Sequence, residues 1–166
     1  VRKFGFIKIY SSSSITKSQH LTHLGPEPLE KNWNFTYLKK YVLRRERSIK
    51  NILMDQKCVS GLGNIYVNEI LFLSRIKPAR KAAKLKNFEI ERIIKFSKKI
   101  LKNSIKLGGS TIKDFSSENG KKGVFQQHFK VYGRENQDCS NVDCNLRIIR
   151  TVISNRATFS CNKCQK

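Results

Sequence analysis

The chain has 166 residues of which 39% are apolar, enough for a modest core in one domain or two small ones, which excludes a disordered tail. Lys and Arg number 34 against 12 Asp and Glu, a formal charge of +22 that exceeds what solubility needs and points to a polyanionic partner. No apolar run approaches the roughly eighteen residues of a spanning helix, so no membrane partner is expected, and nothing in Val1-Arg2-Lys3-Phe4-Gly5 reads as an initiator Met or a secretory signal.

In chain order, Phe4 to Tyr10 is strand-like and Ser11 to Ser14 form a polar turn. His23-Leu24-Gly25-Pro26-Glu27-Pro28-Leu29 carries two prolines, which lack amide donors, and this suits an ordered connector at a domain boundary. From Asn34 to about Ser60, Phe35, Leu38, Val42, Ile49, Ile52 and Leu53 recur at three- and four-residue steps with Arg44, Arg45, Arg47 and Lys50 between them. That period predicts two amphipathic helices with a basic flank. Gly61-Leu62-Gly63 interrupts the pattern, which resumes at Ile65, Val67, Ile70, Leu71, Leu73 and Ile76 until Pro78 stops it. A further helix fits Asn87 to Leu107, with Ile90, Ile93, Ile94, Leu101 and Ile105 on one face and Gly108-Gly109 as its stop. Ser116 to Gly123 is polar and glycine-bounded, which predicts a mobile loop, and Phe125 to Tyr132 leads into the cysteines.

Four of the five cysteines fall in the last 28 residues, as Cys139-x4-Cys144 and, sixteen residues on, Cys161-x2-Cys164. Two such pairs let two turns each present two thiolates to one tetrahedral ion, the zinc-ribbon pattern. A pair of disulfides would need an oxidising compartment that nothing else here suggests. Four thiolates leave no position for water or substrate, so one structural Zn2+ is expected and no catalytic metal. Ile148, Ile149, Thr151, Val152, Ile153 and Phe159 are β-formers that would link the knuckles as a hairpin. Cys58 stands apart and reads as a small apolar core residue.

A glycine turn feeding a helix leaves backbone amides free for phosphate, with Asn64 as an added donor; equally, Gly61 and Gly63 only allow a close turn. The surrounding residues are more specific. Leu53-Met54-Asp55-Gln56 through Gly61-Leu62-Gly63-Asn64-Ile65-Tyr66-Val67-Asn68-Glu69 closely resembles the helix-two-turn-helix motif of the formamidopyrimidine-DNA glycosylase family. The Arg2-to-Gly5 turn, the Thr22-to-Leu29 connector, Gly108 to Phe115, Val131-Tyr132-Gly133-Arg134 and Asn155-Arg156-Ala157-Thr158-Phe159 resemble further family segments in the same order. The first cysteine pair departs from the family, with four intervening residues where two are usual.

The resemblance implies a mainly α fold: a β remnant over 1–22, a helix-two-turn-helix DNA-binding domain over 23–120, and a β-hairpin zinc finger over 121–166. It implies a base-excision repair enzyme, intracellular and nucleoid-associated, that flips an oxidised purine from duplex DNA, cuts its glycosidic bond and nicks the strand by β,δ-elimination. Arg2 would bond the orphaned cytosine, Lys3 a phosphate, and Phe4 would wedge the stack. Lys50, Asn64 and Arg156 would contact damaged double-stranded DNA, with Arg156 also the inherited proton donor for δ-elimination. Ser117, Glu118, Gly120 and Gly123 would belong to a loop that caps the lesion. The family's nucleophile, an N-terminal proline amine, and its catalytic glutamate have no counterpart here. The chain is therefore expected to be a monomeric fragment that binds zinc and DNA without catalysis. An endonuclease VIII-like enzyme and a stand-alone DNA-binding zinc module are the alternatives.

Overall fold

A computed structural model describes residues 7–15, 18–110 and 123–166. Arg2, Lys3, Phe4, Ser117, Glu118 and Gly120 lie outside the described residues. So do Gly5 and most of the segment expected to form the lesion loop.

The strand expected over 4–10 is not seen in its described part. Among the described residues, 7–10 pair with no strand, and Ile7 and Ile9 are 80% and 94% exposed. β-propensity does not hold an extended segment without a neighbouring ladder and an apolar face to cover. The Ser11–Ser14 turn does form, with the Ser14 amide donating to the Ser11 carbonyl at 3.0 Å.

Four α-helices follow among the described residues. Helix α1, Phe35–Val42, starts where the Asn34 side chain accepts from the Tyr37 amide, and it turns Leu38 and Val42 inward. Helix α2, Ile49–Met54, is capped by Ser48 and is shorter than the apolar period suggested. It ends because Asp55 turns the chain: the Asp55 carboxylate accepts from the Lys57 amide and its carbonyl from the Cys58 amide. Helix α3, Asn64–Ser74, stops at Arg75, which adopts φ +60 three residues ahead of Pro78. Helix α4, Asn87–Lys106, begins where the Glu89 carboxylate accepts from the Lys86 amide and ends at Gly108, φ +71.

Helix α3 is the central element. Val67, Ile70, Leu71 and Phe72 are buried, and it packs on α2, α4 and the C-terminal hairpin. One core joins Trp33, Leu38, Ile52, Leu53, Ile70, Leu71 and Ile93, and Trp33 Nε1 donates to Ser97 Oγ on α4 at 2.8 Å. A second, smaller core joins Phe72 to Val131, Ile148, Phe159 and Cys161. Cys58 is fully buried in the first, where burial pushes its thiol up to about 12, so it is an inert apolar residue as expected.

The glycine-proline connector lies against the α2–α3 turn. The Gly25 amide donates to the Gln56 carbonyl at 2.8 Å, and a Cβ on Gly25 would sit 2.4 Å from the Cys58 carbonyl oxygen. Only glycine allows that approach. The stretch beyond α4 leaves and returns at a narrow neck: the Val124 amide donates to the Leu107 carbonyl and the Phe125 amide to that of Gly109. Gly123 serves this neck by close packing, since its Cβ would lie 2.3 Å from the Gly109 oxygen.

The C-terminal hairpin pairs β1, Ile149–Ile153, antiparallel with β2, Arg156–Ser160. Ser154 and Asn155 both have positive φ, +48 and +57, the pattern of the two-residue turn whose twist matches the strands. Arg156 is therefore held at the tip, opposite Ile153.

Candidate metal centre and nucleic-acid interface

The Cys139, Cys144, Cys161 and Cys164 sulfurs lie within 4.8 Å of one another. Cys139 Sγ is 3.7 Å from Cys164 Sγ, and Cys144 Sγ is 3.5 Å from Cys161 Sγ. A disulfide needs about 2.05 Å, so these are not disulfides. Four metal–sulfur bonds of about 2.3 Å in a tetrahedron put the sulfurs about 3.8 Å apart, which these spacings fit. Burial pushes the Cys139 thiol up to about 12, while the Leu146 amide holds that of Cys144 down at about 7. Four thiolates this close would repel one another unless a cation lay between them.

The wide first pair is accommodated locally. The Cys139 amide donates to the Leu146 carbonyl and the Cys144 amide to that of Asn141, so the extra residues bulge outward with Val142 fully exposed. Both sulfurs still reach the centre, and the departure in spacing leaves its geometry intact.

The hairpin is tied to the helices by buried polar groups. Lys50 has no exposed surface, and its ammonium donates to the Ala157 carbonyl at 3.0 Å and to Thr158 Oγ1 at 2.7 Å. Asn64 Nδ2 donates to the same Ala157 carbonyl at 3.0 Å. Asn68 Oδ1 accepts from the Phe159 amide, and Asn51 Nδ2 donates to Ser154 Oγ at the turn. The two-turn motif and β2 thus meet at one carbonyl, one residue from the exposed Arg156. Among the described residues Arg156 forms no ion pair.

Three candidates from the sequence, Lys50, Asn64 and Arg156, are brought together in this way, with Lys50 behind the surface the others form. Sequence reasoning gave no role to Glu69. Its carboxylate is 3% exposed and accepts from the amides of Lys130, Val131 and Tyr132 at 2.8 to 2.9 Å. Gln165 likewise accepts from the Cys161 amide and donates to the Ile76 carbonyl. The available signal was two adjacent polar residues, Asn68 and Glu69, within an otherwise apolar helix.

Burial, followed by the nearby charge of Arg156, lowers the Lys50 ammonium to about 8 from an ordinary 10.5. Between those values the unfolded chain binds more protons than the folded one, so this group makes stability rise with pH across the window. Relative to Lys50→Met, the wild type should therefore gain stability between about pH 8 and 10. Urea unfolding of both at three pH values checks this, and a parallel pH course would refute it.

The family described as formamidopyrimidine-DNA glycosylase H2TH domain matches residues 24–116, more than half of the chain. Over 164 residues the chain is 41% identical to the formamidopyrimidine-DNA glycosylase of Rickettsia felis, covering 99% of this chain and 58% of that protein. It resembles the crystal structure of MutM (Fpg) from Thermus thermophilus with a TM-score of 0.82 and 36% identity, over 87% of this chain and 55% of that one. Lactococcus lactis Fpg, in complex with DNA containing an abasic site, superposes with a TM-score of 0.86 and 30% identity, over 95% and 57%. The chain thus spans less than two thirds of the length of the relatives it matches.

Proposed function

Since the chain belongs to the formamidopyrimidine-DNA glycosylase H2TH family, we propose that it grips duplex DNA on behalf of a base-excision repair glycosylase. That enzyme would remove oxidised purines such as 8-oxoguanine and nick the strand by β,δ-elimination. The observation that carries this reading is the convergence of Asn64 and the Arg156-bearing strand on the Ala157 carbonyl. It sets Arg156 one residue from the carbonyl that Asn64, the first residue of α3, binds, at a helix N-terminus whose first amides have no partner within the helix. Both features attract phosphate. Lys50 would act from behind, holding β2 and adding its charge. Zinc, bound by Cys139, Cys144, Cys161 and Cys164, would hold the hairpin so that the Arg156 tip is rigid, and would supply no reaction chemistry.

Arg2, Lys3 and Phe4 as the intercalating turn, and Ser117, Glu118, Gly120 and Gly123 as the lesion loop, rest on sequence resemblance alone. The proline nucleophile and catalytic glutamate are not placed among these 166 residues, so this chain by itself is proposed to bind without turnover.

Affinity for a duplex carrying an abasic analogue should fall steeply with salt, since each neutralised phosphate releases counterion. Arg156→Ala should weaken binding about tenfold and lower the log–log salt slope by about one, as loss of one phosphate contact does. Asn64→Ala should weaken binding with little change in slope. Anisotropy titrations at several salt concentrations measure both. Salt-insensitive binding, or borohydride trapping of the isolated chain on damaged duplex, would overturn the reading.

A further inference from the structure

Away from Asn64 and Arg156, helices α3 and α4 and the Phe125–His128 turn line a half-open cavity of about 450 Å³. Its apolar lining is Leu73, Ile100, Leu107 and Phe125, all buried or half-buried, and exposed Lys99, Lys106 and Lys130 stand around it. On α3, Glu69 and Leu73 follow Asn64 by five and nine residues. At 100° per residue they lie about 140° and 180° around the helix from it. The cavity therefore faces away from the candidate DNA surface.

Lys95, Lys99, Lys102 and Lys106 recur at three- and four-residue steps, so they form one line on α4 leading past the cavity. Among the described residues none of them, nor Lys130, has a carboxylate partner. The one acid among the described residues lining the cavity, Glu69, has its oxygens committed to three backbone amides. We propose that this face binds an acidic peptide segment of a partner protein, with one large apolar side chain in the cavity and carboxylates on the lysine line.

The spacing selects this occupant over others of the same charge. Lys99 and Lys106 are two helical turns apart, about 10 Å along the axis, which is too wide for one small anion. An extended peptide places alternate side chains about 7 Å apart, so several carboxylates can meet successive lysines. A single nucleic-acid strand would want exposed ring faces on which to stack. Of the two rings lining the cavity, Phe125 is 6% exposed and enclosed by Tyr66, His128 and Phe129 at ring distances of 5.8 to 6.3 Å, and His128, though exposed, already stacks one face on Phe125.

The test is fluorescence anisotropy of the full 166-residue chain with a labelled Asp-Glu-Asp-Asp-Leu-Phe peptide at moderate salt. The peptide should bind, and methyl resonances of Leu73, Ile100 and Leu107 should shift. Lys99→Glu with Lys106→Glu should weaken binding at least tenfold, while Arg150→Glu on β1 should not. Peptide and abasic-site duplex should bind together. The proposal fails if an all-Asp peptide binds as tightly, since that is charge attraction without the cavity. It also fails if the methyl groups stay unmoved, or if oligothymidylate displaces the peptide from this face.

Discussion

Stripping the metal from the four-cysteine centre is expected to melt the hairpin while leaving the helical body folded. Structural zinc in small fingers contributes on the order of 10 kcal/mol, and the second core that it closes is small. Without the ion, four thiols held within 4.8 Å have nothing to pull them together. Cys139, Cys161 and their neighbours then lose the geometry that seats Phe159 in the core with Phe72 and Ile148. Trp33, the one tryptophan, lies in the other core with its indole bonded to Ser97, so its fluorescence should barely change on chelation. Amide exchange in residues 149–160 should accelerate by several orders of magnitude over the same treatment. Cys164→Ser should reproduce the effect, and duplex affinity should fall about tenfold because Arg156 loses its fixed position, as in Arg156→Ala. Unchanged hairpin protection in metal-free, reduced protein would sink the assignment, as would the absence of zinc in the purified chain by elemental analysis.

Replacing Glu69 should also be damaging, at about half the cost of metal loss or less, although it touches neither cysteine nor candidate DNA contact. Its carboxylate is the acceptor for three consecutive amides, Lys130, Val131 and Tyr132, where the chain passes from the helical body into the cysteine region. Glu69→Ala leaves those donors without a partner in a buried site, at roughly 1–3 kcal/mol each when water cannot enter. Partial hydration should bring the total to about 3–5 kcal/mol. Glu69→Gln keeps the shape but has one acceptor oxygen and no charge, so a loss of about 2 kcal/mol is expected. Urea unfolding with metal bound separates the two, and a cost below about 1 kcal/mol for Glu69→Ala would show that the contact is dispensable.

The sequence by itself determined what is local or periodic. The apolar period over 87–107 and the glycine stop at 108 place α4 within a residue of its observed end. The paired cysteines and the β-formers between them likewise led to the hairpin and the four-sulfur cluster, because short-range spacing sets which thiols a turn can present together. The same reading differed for residues 7–10, where strand propensity finds no partner ladder among the described residues, and it extended α2 past the Asp55 turn, which a side-chain bond sets rather than a period.

Only the tertiary structure decided which polar groups meet. By spacing alone Lys50 is one of several cations in a basic flank, and only the family resemblance marks it as a DNA contact. Its burial and its bonds to Ala157 and Thr158 depend on a strand more than a hundred residues away. Glu69 is equally unreadable, since its three donors lie some sixty residues on. Propensity and spacing report on neighbours in the chain, whereas a buried charge is tolerated only where distant groups satisfy it. That pairing exists only once the hairpin has docked on α3.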